Sequence, residues 1–259
     1  EYYNLSISVY AQIIPYLLFG RSVLATRAVS ALVSLIGVMA VGLILRDIFK
    51  IKWWWVGVLI LAATPACFIN SRTALEMVWM VSAYAWFLYF YLLYRHRDPR
   101  YLYPSLVCGA IVFYSYSPGQ IVAVATGFLL LLSDFQYHWQ QRQTGFKGAG
   151  LLVILVLPYI SFSIGHPQEN FSHLRILDSY WMKSDLTLPQ KLARFGEEYF
   201  IALTHGFWYI PDNMIRDIII RQRMKGYAQL SLLTLPFYLL GILICLRYVK
   251  SSAHRTVLF

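Results

Sequence analysis

Arg72 and Glu76 are the pair of side chains in this sequence with the clearest chemical potential. Four residues apart, they are expected to open one membrane-spanning helix and to share a face near its end. The guanidinium fork can donate two parallel hydrogen bonds to a phosphate, and the carboxylate can orient a polar substrate or a second cation. A structural ion pair that anchors the helix end fits the same residues, because a charge turned toward lipid is costly. Tyr114, Tyr116 and Gln120 flank a Ser117-Pro118-Gly119 turn signal. Their rings and polar groups suit the wall of a sugar pocket and equally an aromatic belt at a membrane interface. His166, His173 and His205 match no zinc spacing. They read as solvated or capping groups, with a ligand role open for one of them. Cys67, Cys108 and Cys245 lie inside apolar runs and read as small core hydrophobes. There is no nucleophile elbow, P-loop, HExxH or dinucleotide fingerprint.

The elements that must hold these residues are set by composition. Of 259 residues, 59% are hydrophobic, 17% aromatic and only 13% charged. A soluble domain carries about 25% charged residues, so disorder and an ordinary soluble enzyme are excluded. Apolar runs near the 20 or so residues that cross a bilayer predict an all-α, polytopic transmembrane helical bundle. About seven spans are expected: Arg27–Leu45, Trp53–Ile69, Ala74–Tyr94, Tyr103–Tyr116, Gly119–Ser133, Gly148–Ile164 and Tyr227–Leu246. A short amphipathic stretch with an internal proline, Leu5–Phe19, reads as a juxtamembrane helix. Strands are not expected, since the runs are long and do not alternate. Three regions follow: a helical core over 1–164, a polar outer region over 165–226, and a last span with its tail over 227–259. Within the polar region, Thr187-Leu188-Pro189-Gln190 reads as a helix start, followed by Leu192, Phe195, Tyr199 and Leu203 at helical spacing. Trp208 and Tyr209 read as an interfacial anchor.

The formal net charge of +10 is not pooled as in a nucleic-acid-binding face. Arg46, Lys50 and Lys52, then Arg95, Arg97 and Arg100, then Arg142 and Lys147, then Arg247, Lys250 and Arg255 occupy alternate connections. The intervening short connections are poor in Lys and Arg. The positive-inside rule therefore places the basic connections in the cytoplasm and the candidate site on the outer face. The basic run from Arg216 to Lys225 reads as a solvated face or a partner for lipid phosphates.

A family resemblance rests on several short motifs in order. Phe19-Gly20 with Ala25-Thr26-Arg27-Ala28-Val29-Ser30-Ala31-Leu32, then Ala63-Thr64-Pro65, Ser71-Arg72 and Glu76, then Tyr114-Ser115-Tyr116-Ser117, then Arg223-Met224-Lys225-Gly226-Tyr227, resemble bacterial membrane glycosyltransferases of the GT-C fold. These enzymes are similar to dolichyl-phosphate-mannose protein mannosyltransferases and to the lipid A aminoarabinose transferase. The resemblance implies transfer of a sugar from a polyprenyl-phosphate carrier to a lipid, glycan or protein acceptor on the extracytoplasmic face. It implies a multi-pass location, expected to be the bacterial cytoplasmic membrane, with membrane lipids and no nucleic acid as partners. It carries Arg72 and Glu76 over best and brings Arg27, Tyr114, Tyr116, Gln120 and His166 into a substrate-binding set, although Gln120 stands where many members have Arg. The catalytic base is expected upstream of Glu1, in a first outer loop after which this chain begins, with Glu76 as a supporting carboxylate. A fragment of that kind is expected to be inactive alone. No cofactor follows, and a divalent metal stays open. A transporter or lipid-carrier flippase is the competing reading, against which the lack of an internal repeat weighs.

Overall fold

The structure, a computed structural model, describes residues 7–73, 76–166, 179–211 and 226–259. Two short helices open it, α1 (Ile7–Ala11) and α2 (Ile13–Phe19). Gly20, at a φ of 71° that glycine adopts at little cost, ends α2, and Ser22 then caps α3 (Val23–Leu43) by accepting the Ala25 N–H. A π-helical turn, Ile44–Ile48, extends α3. Next come α4 (Trp54–Ala62), α5 (Pro65–Arg72), α6 (Glu76–His96), α7 (Leu102–Ser115), α8 (Ser117–Ser133), α9 (Phe135–Gln140) and α10 (Arg142–Gly165). The polar region contributes α11 (Leu188–Leu203) and α12 (His205–Tyr209). The chain closes with α13 (Leu235–Arg247) and α14 (Ser252–Leu258). No strand occurs among the described residues.

The expected spans reappear with differences that have local causes. Among the described residues, three helices are long and apolar enough to cross a membrane: α3 with its extension, α6 and α10. The expected Trp53–Ile69 span is broken, because Thr64 is extended and Pro65 starts a new helix, leaving α4 and α5 bent by 64°. Counted as one bent span, this pair makes four. Three further apolar helices or helix pairs are shorter, 7–19, 117–133 and 232–247, so the expected seven full spans are not all met. At 14 residues, α7 is about 21 Å long, less than a hydrocarbon core of about 30 Å. The expected last span starts at Leu235 rather than Tyr227, after a 3-10 turn and just before Pro236.

Helix α6 is the centre of the bundle. Half of its most apolar stretch is buried, against 6% for α10 at the periphery. Small residues bring α3 against it: a Cβ on Gly37 would lie 2.8 Å from the Ser82 Cα, so only glycine permits this approach. Trp86 Nε1 donates to the Ile36 carbonyl at 3.0 Å across the same contact. On its other sides α6 bonds α8 through Tyr84 and Thr126 (3.1 Å), and α7 through Ser105 and the Phe87 carbonyl (3.2 Å). The apolar core sits toward its C-terminal half, where Phe87, Tyr89, Tyr91, Leu92, Leu93 and Tyr94 are buried against α3, α8 and α14.

The start of α11 follows its sequence signal. Gln190 Oε1 accepts from the Thr187 N–H (2.8 Å) and hydroxyl (2.9 Å). Leu192, Phe195, Tyr199 and Leu203 are exposed along it. Tyr209, read as part of an interfacial anchor, is instead buried, with its ring 6.3 Å from that of Tyr238.

Candidate active site

With α4 and α5 taken as one bent span, the spanning helices run back and forth in turn, so the chain sorts its polar residues onto two ends of the bundle. The start of α3, the end of α5, the start of α6, the α7–α8 turn and the end of α10 share one end. That end carries Arg27, Arg72, Glu76, Tyr114, Tyr116, Gln120 and His166.

A cleft of about 740 Å³ opens there between α1, α2 and the first turns of α3, with Thr73 closing its side. Gln12, Tyr16, Arg21, Thr26 and Arg27 supply its polar groups. Both arginines are exposed, and the Arg21 guanidinium lies 5.8 Å from the centre of the Tyr16 ring. Gln12 Nε2 reaches the Thr26 carbonyl at 3.5 Å, joining α2 to α3. The cleft thus offers two cations, a carboxamide, a phenol and hydroxyls above apolar walls from Val9, Ile13 and Val23. That combination suits an anionic headgroup carried on an apolar chain.

Of the sequence candidates, Arg27 lines this cleft and Arg72 adjoins it through Thr73. Arg72 and Glu76 do not share a helix face. Arg72 ends α5, Thr73 is extended (φ −95°, ψ 129°), and Glu76 begins α6. The exposed Arg72 guanidinium lies 3.7 Å from the centre of the Phe68 ring, and Glu76 is half-buried. Tyr114 has a packing role. Pro158 opens the backbone ladder of α10, and the Tyr114 hydroxyl enters it, donating to the Leu155 carbonyl (2.8 Å) and accepting from the Tyr159 N–H (3.2 Å). Tyr116 is extended and precedes α8, and Gln120 lies in the first turn of that helix, both half-buried. His166 ends α10 with its ring stacked on Phe162 at 4.9 Å. His173, Glu1 and the 216–225 basic run lie outside the described residues, as does the side chain of His205. No group of three His, Cys, Asp or Glu that could hold a metal occurs among the described residues.

Arg21, Gln12 and Tyr16 are functional candidates that sequence reasoning passed over. Arg21 directly follows the Phe19-Gly20 motif, and that proximity was the available signal. A second polar assembly, at the other end of α6, also went unread. Asp134, between α8 and α9, is buried there with a side chain 2% exposed. It pairs with Arg95 Nε at 2.9 Å and with Arg255 of α14, and accepts from the Tyr91 hydroxyl at 2.7 Å. His138 bridges Tyr94 (3.0 Å at Nδ1) and Tyr91 (3.4 Å at Nε2), and burial lowers its pKa. The Arg95 guanidinium stacks over the Tyr137 ring at 3.8 Å. A lone carboxylate at a helix end, with histidine four residues on, was its trace in the sequence.

An all-α bundle with several apolar helices, and a cationic cleft at one end of it, defines a multi-pass membrane protein. Residues 7–162 match the model of the dolichyl-phosphate-mannose-protein mannosyltransferase family. The match covers more than half of the chain, and the chain belongs to this family. No curated protein and no solved structure matches the chain.

Proposed function

We propose that this protein is an inverting glycosyltransferase that takes a sugar from a polyprenyl-phosphate carrier and transfers it to a lipid, glycan or protein acceptor at the outer membrane face. The observation that supports this most is the cleft holding Arg21 and Arg27, on the same end of the bundle as Glu76. In the proposed reaction a base deprotonates the acceptor hydroxyl, whose oxygen attacks the anomeric carbon. The bond to the carrier phosphate breaks, and the phosphate leaves with the electron pair. Arg21 and Arg27 neutralise the charge that grows on it, and Glu76 orients a polar group of the substrate. Arg72, one residue from the cleft, contributes to the same positive field.

The test uses the intact protein in liposomes with a polyprenyl-phosphate sugar. Arg21→Gln and Arg27→Gln should keep the folded yield and lower transfer about tenfold to hundredfold. Each loses a charge-assisted contact worth about 1.5–3 kcal/mol to the leaving phosphate. Wild-type rates in both variants would remove the cleft from the reaction. The bent α4–α5 pair also suits a transporter, in which broken helices line the path. Carrier movement without release of carrier phosphate would favour that reading.

A further inference from the structure

At the far end of α6, about 30 Å from the cleft by helix rise, a second cavity of about 590 Å³ lies beside Asp134. Three cations line it: Arg95 from α6, Lys250 from the α13–α14 connection and Arg255 from α14. Asp134 is its single lining acid and already accepts both arginines, so the cavity keeps an excess of positive charge. Lys250 is exposed and has no ion pair among the described residues. Ser133, Gln136 and Gln140 add neutral hydrogen-bonding groups. Leu132 and Phe135 also line the cavity and are 57% and 56% exposed. They continue into an apolar strip of α8 and α9 with Phe128 and Trp139, and the Trp139 ring stacks on Phe135 at 6.2 Å.

We infer that this cavity binds the headgroup of an anionic phospholipid from the surrounding bilayer, distinct from any sugar donor. Its phosphate sits among Lys250, Arg95 and Arg255. Ser133, Gln136 and Gln140 meet the headgroup hydroxyls, and an acyl chain runs along Leu132 and Phe135. The apolar strip beginning at the cavity mouth favours a lipid over free phosphate, because a soluble anion gains nothing from it. The three cations come from separate segments, so the headgroup ties the C-terminal segment to α6 and α9. This inference does not depend on the proposed transfer reaction.

The experiment uses the intact protein, delipidated in detergent. Phosphatidylglycerol, phosphatidylcholine and inorganic phosphate are titrated separately, with lipid adducts read by native mass spectrometry and Tm by thermal unfolding. Phosphatidylglycerol should bind at least tenfold more tightly than phosphatidylcholine and should raise Tm. Lys250→Glu should lower its affinity about tenfold or more, leaving the lipid-free Tm and the preference at other sites unchanged. Lys250→Gln serves if the reversal impairs folding, with a smaller loss. Equal affinity for the two lipids, or unchanged phosphatidylglycerol binding in both Lys250 variants, would overturn the site. Binding of inorganic phosphate as tightly as the lipid, sensitive to Lys250, would keep the anion chemistry and overturn the lipid as its source.

Discussion

Replacing Tyr114 with Phe separates the two roles this residue could have. The hydroxyl makes two hydrogen bonds to the backbone of α10 where Pro158 has opened it, at 2.8 and 3.2 Å. A net contribution of about 0.5–1.5 kcal/mol per bond gives about 1–3 kcal/mol for both. Interhelical side-chain bonds in membranes average about 0.6 kcal/mol, which favours the lower half of that range. Tyr114→Phe should therefore cost about 1–2 kcal/mol in reversible unfolding in mixed micelles. The ring keeps its edge contact with Phe113, 5.4 Å between centres, so no cavity opens. Transfer per folded molecule should stay within about twofold of wild type. Restoring the missing donor by Pro158→Ala should let the helix close its own ladder, and Tyr114→Phe should then cost less. A double-mutant cycle reads that coupling directly. Unchanged stability with a tenfold loss of transfer would refute the packing account and return Tyr114 to a substrate wall.

Asp134→Asn leaves Arg95 and Arg255 partly buried without their counter-charge, so it should lower unfolding stability by about 3–5 kcal/mol, measured in detergent. A loss below about 1 kcal/mol would show that the arginines relax to solvent. His138 gives a pH dependence, because its pKa is lowered by burial although Asp134 opposes the shift. A histidine held neutral in the fold is stabilising above its unfolded pKa, and that stability is lost as pH falls below about 6.5 toward the lowered folded value. Thermal stability should decline from pH 7 to 5, and His138→Gln should be less stable at pH 7 but flatter over that range. An equally steep slope in the variant would assign the titration elsewhere.

How much of this was legible in the sequence differed between the two scales. Long apolar runs announced α3, α6 and α10, because a spanning helix satisfies its backbone internally and needs only length and composition. The break between α4 and α5 was harder to read. Thr64-Pro65 stands in a stretch that resembles the family, but proline can start, kink or end a helix, and only the bend of 64° decides. A second break, at the extended Thr73, parts Arg72 from Glu76, since i, i+4 spacing brings two residues together only inside one helix. Arg27 was legible through its motif. Arg21, Gln12 and Tyr16 were not, because the cleft depends on how α2 folds back over α3. The Asp134 assembly joins residues that are far apart in the chain, with Tyr91 43 and Arg255 121 positions from Asp134, pairings that periodicity cannot express.

Photo-crosslinking with a polyprenyl-phosphate probe tests the placement of the donor site most directly. The probe carries its photoreactive group next to the phosphate and is used on the intact protein in liposomes. Labels should fall on peptides containing residues 9–27 and Thr73, should be displaced by unlabelled carrier, and should fall at least tenfold in an Arg21→Gln, Arg27→Gln double variant. Competable labelling concentrated instead near Asp134, or labelling of the 9–27 peptides that persists undiminished in the double variant, would contradict the cleft as the donor site.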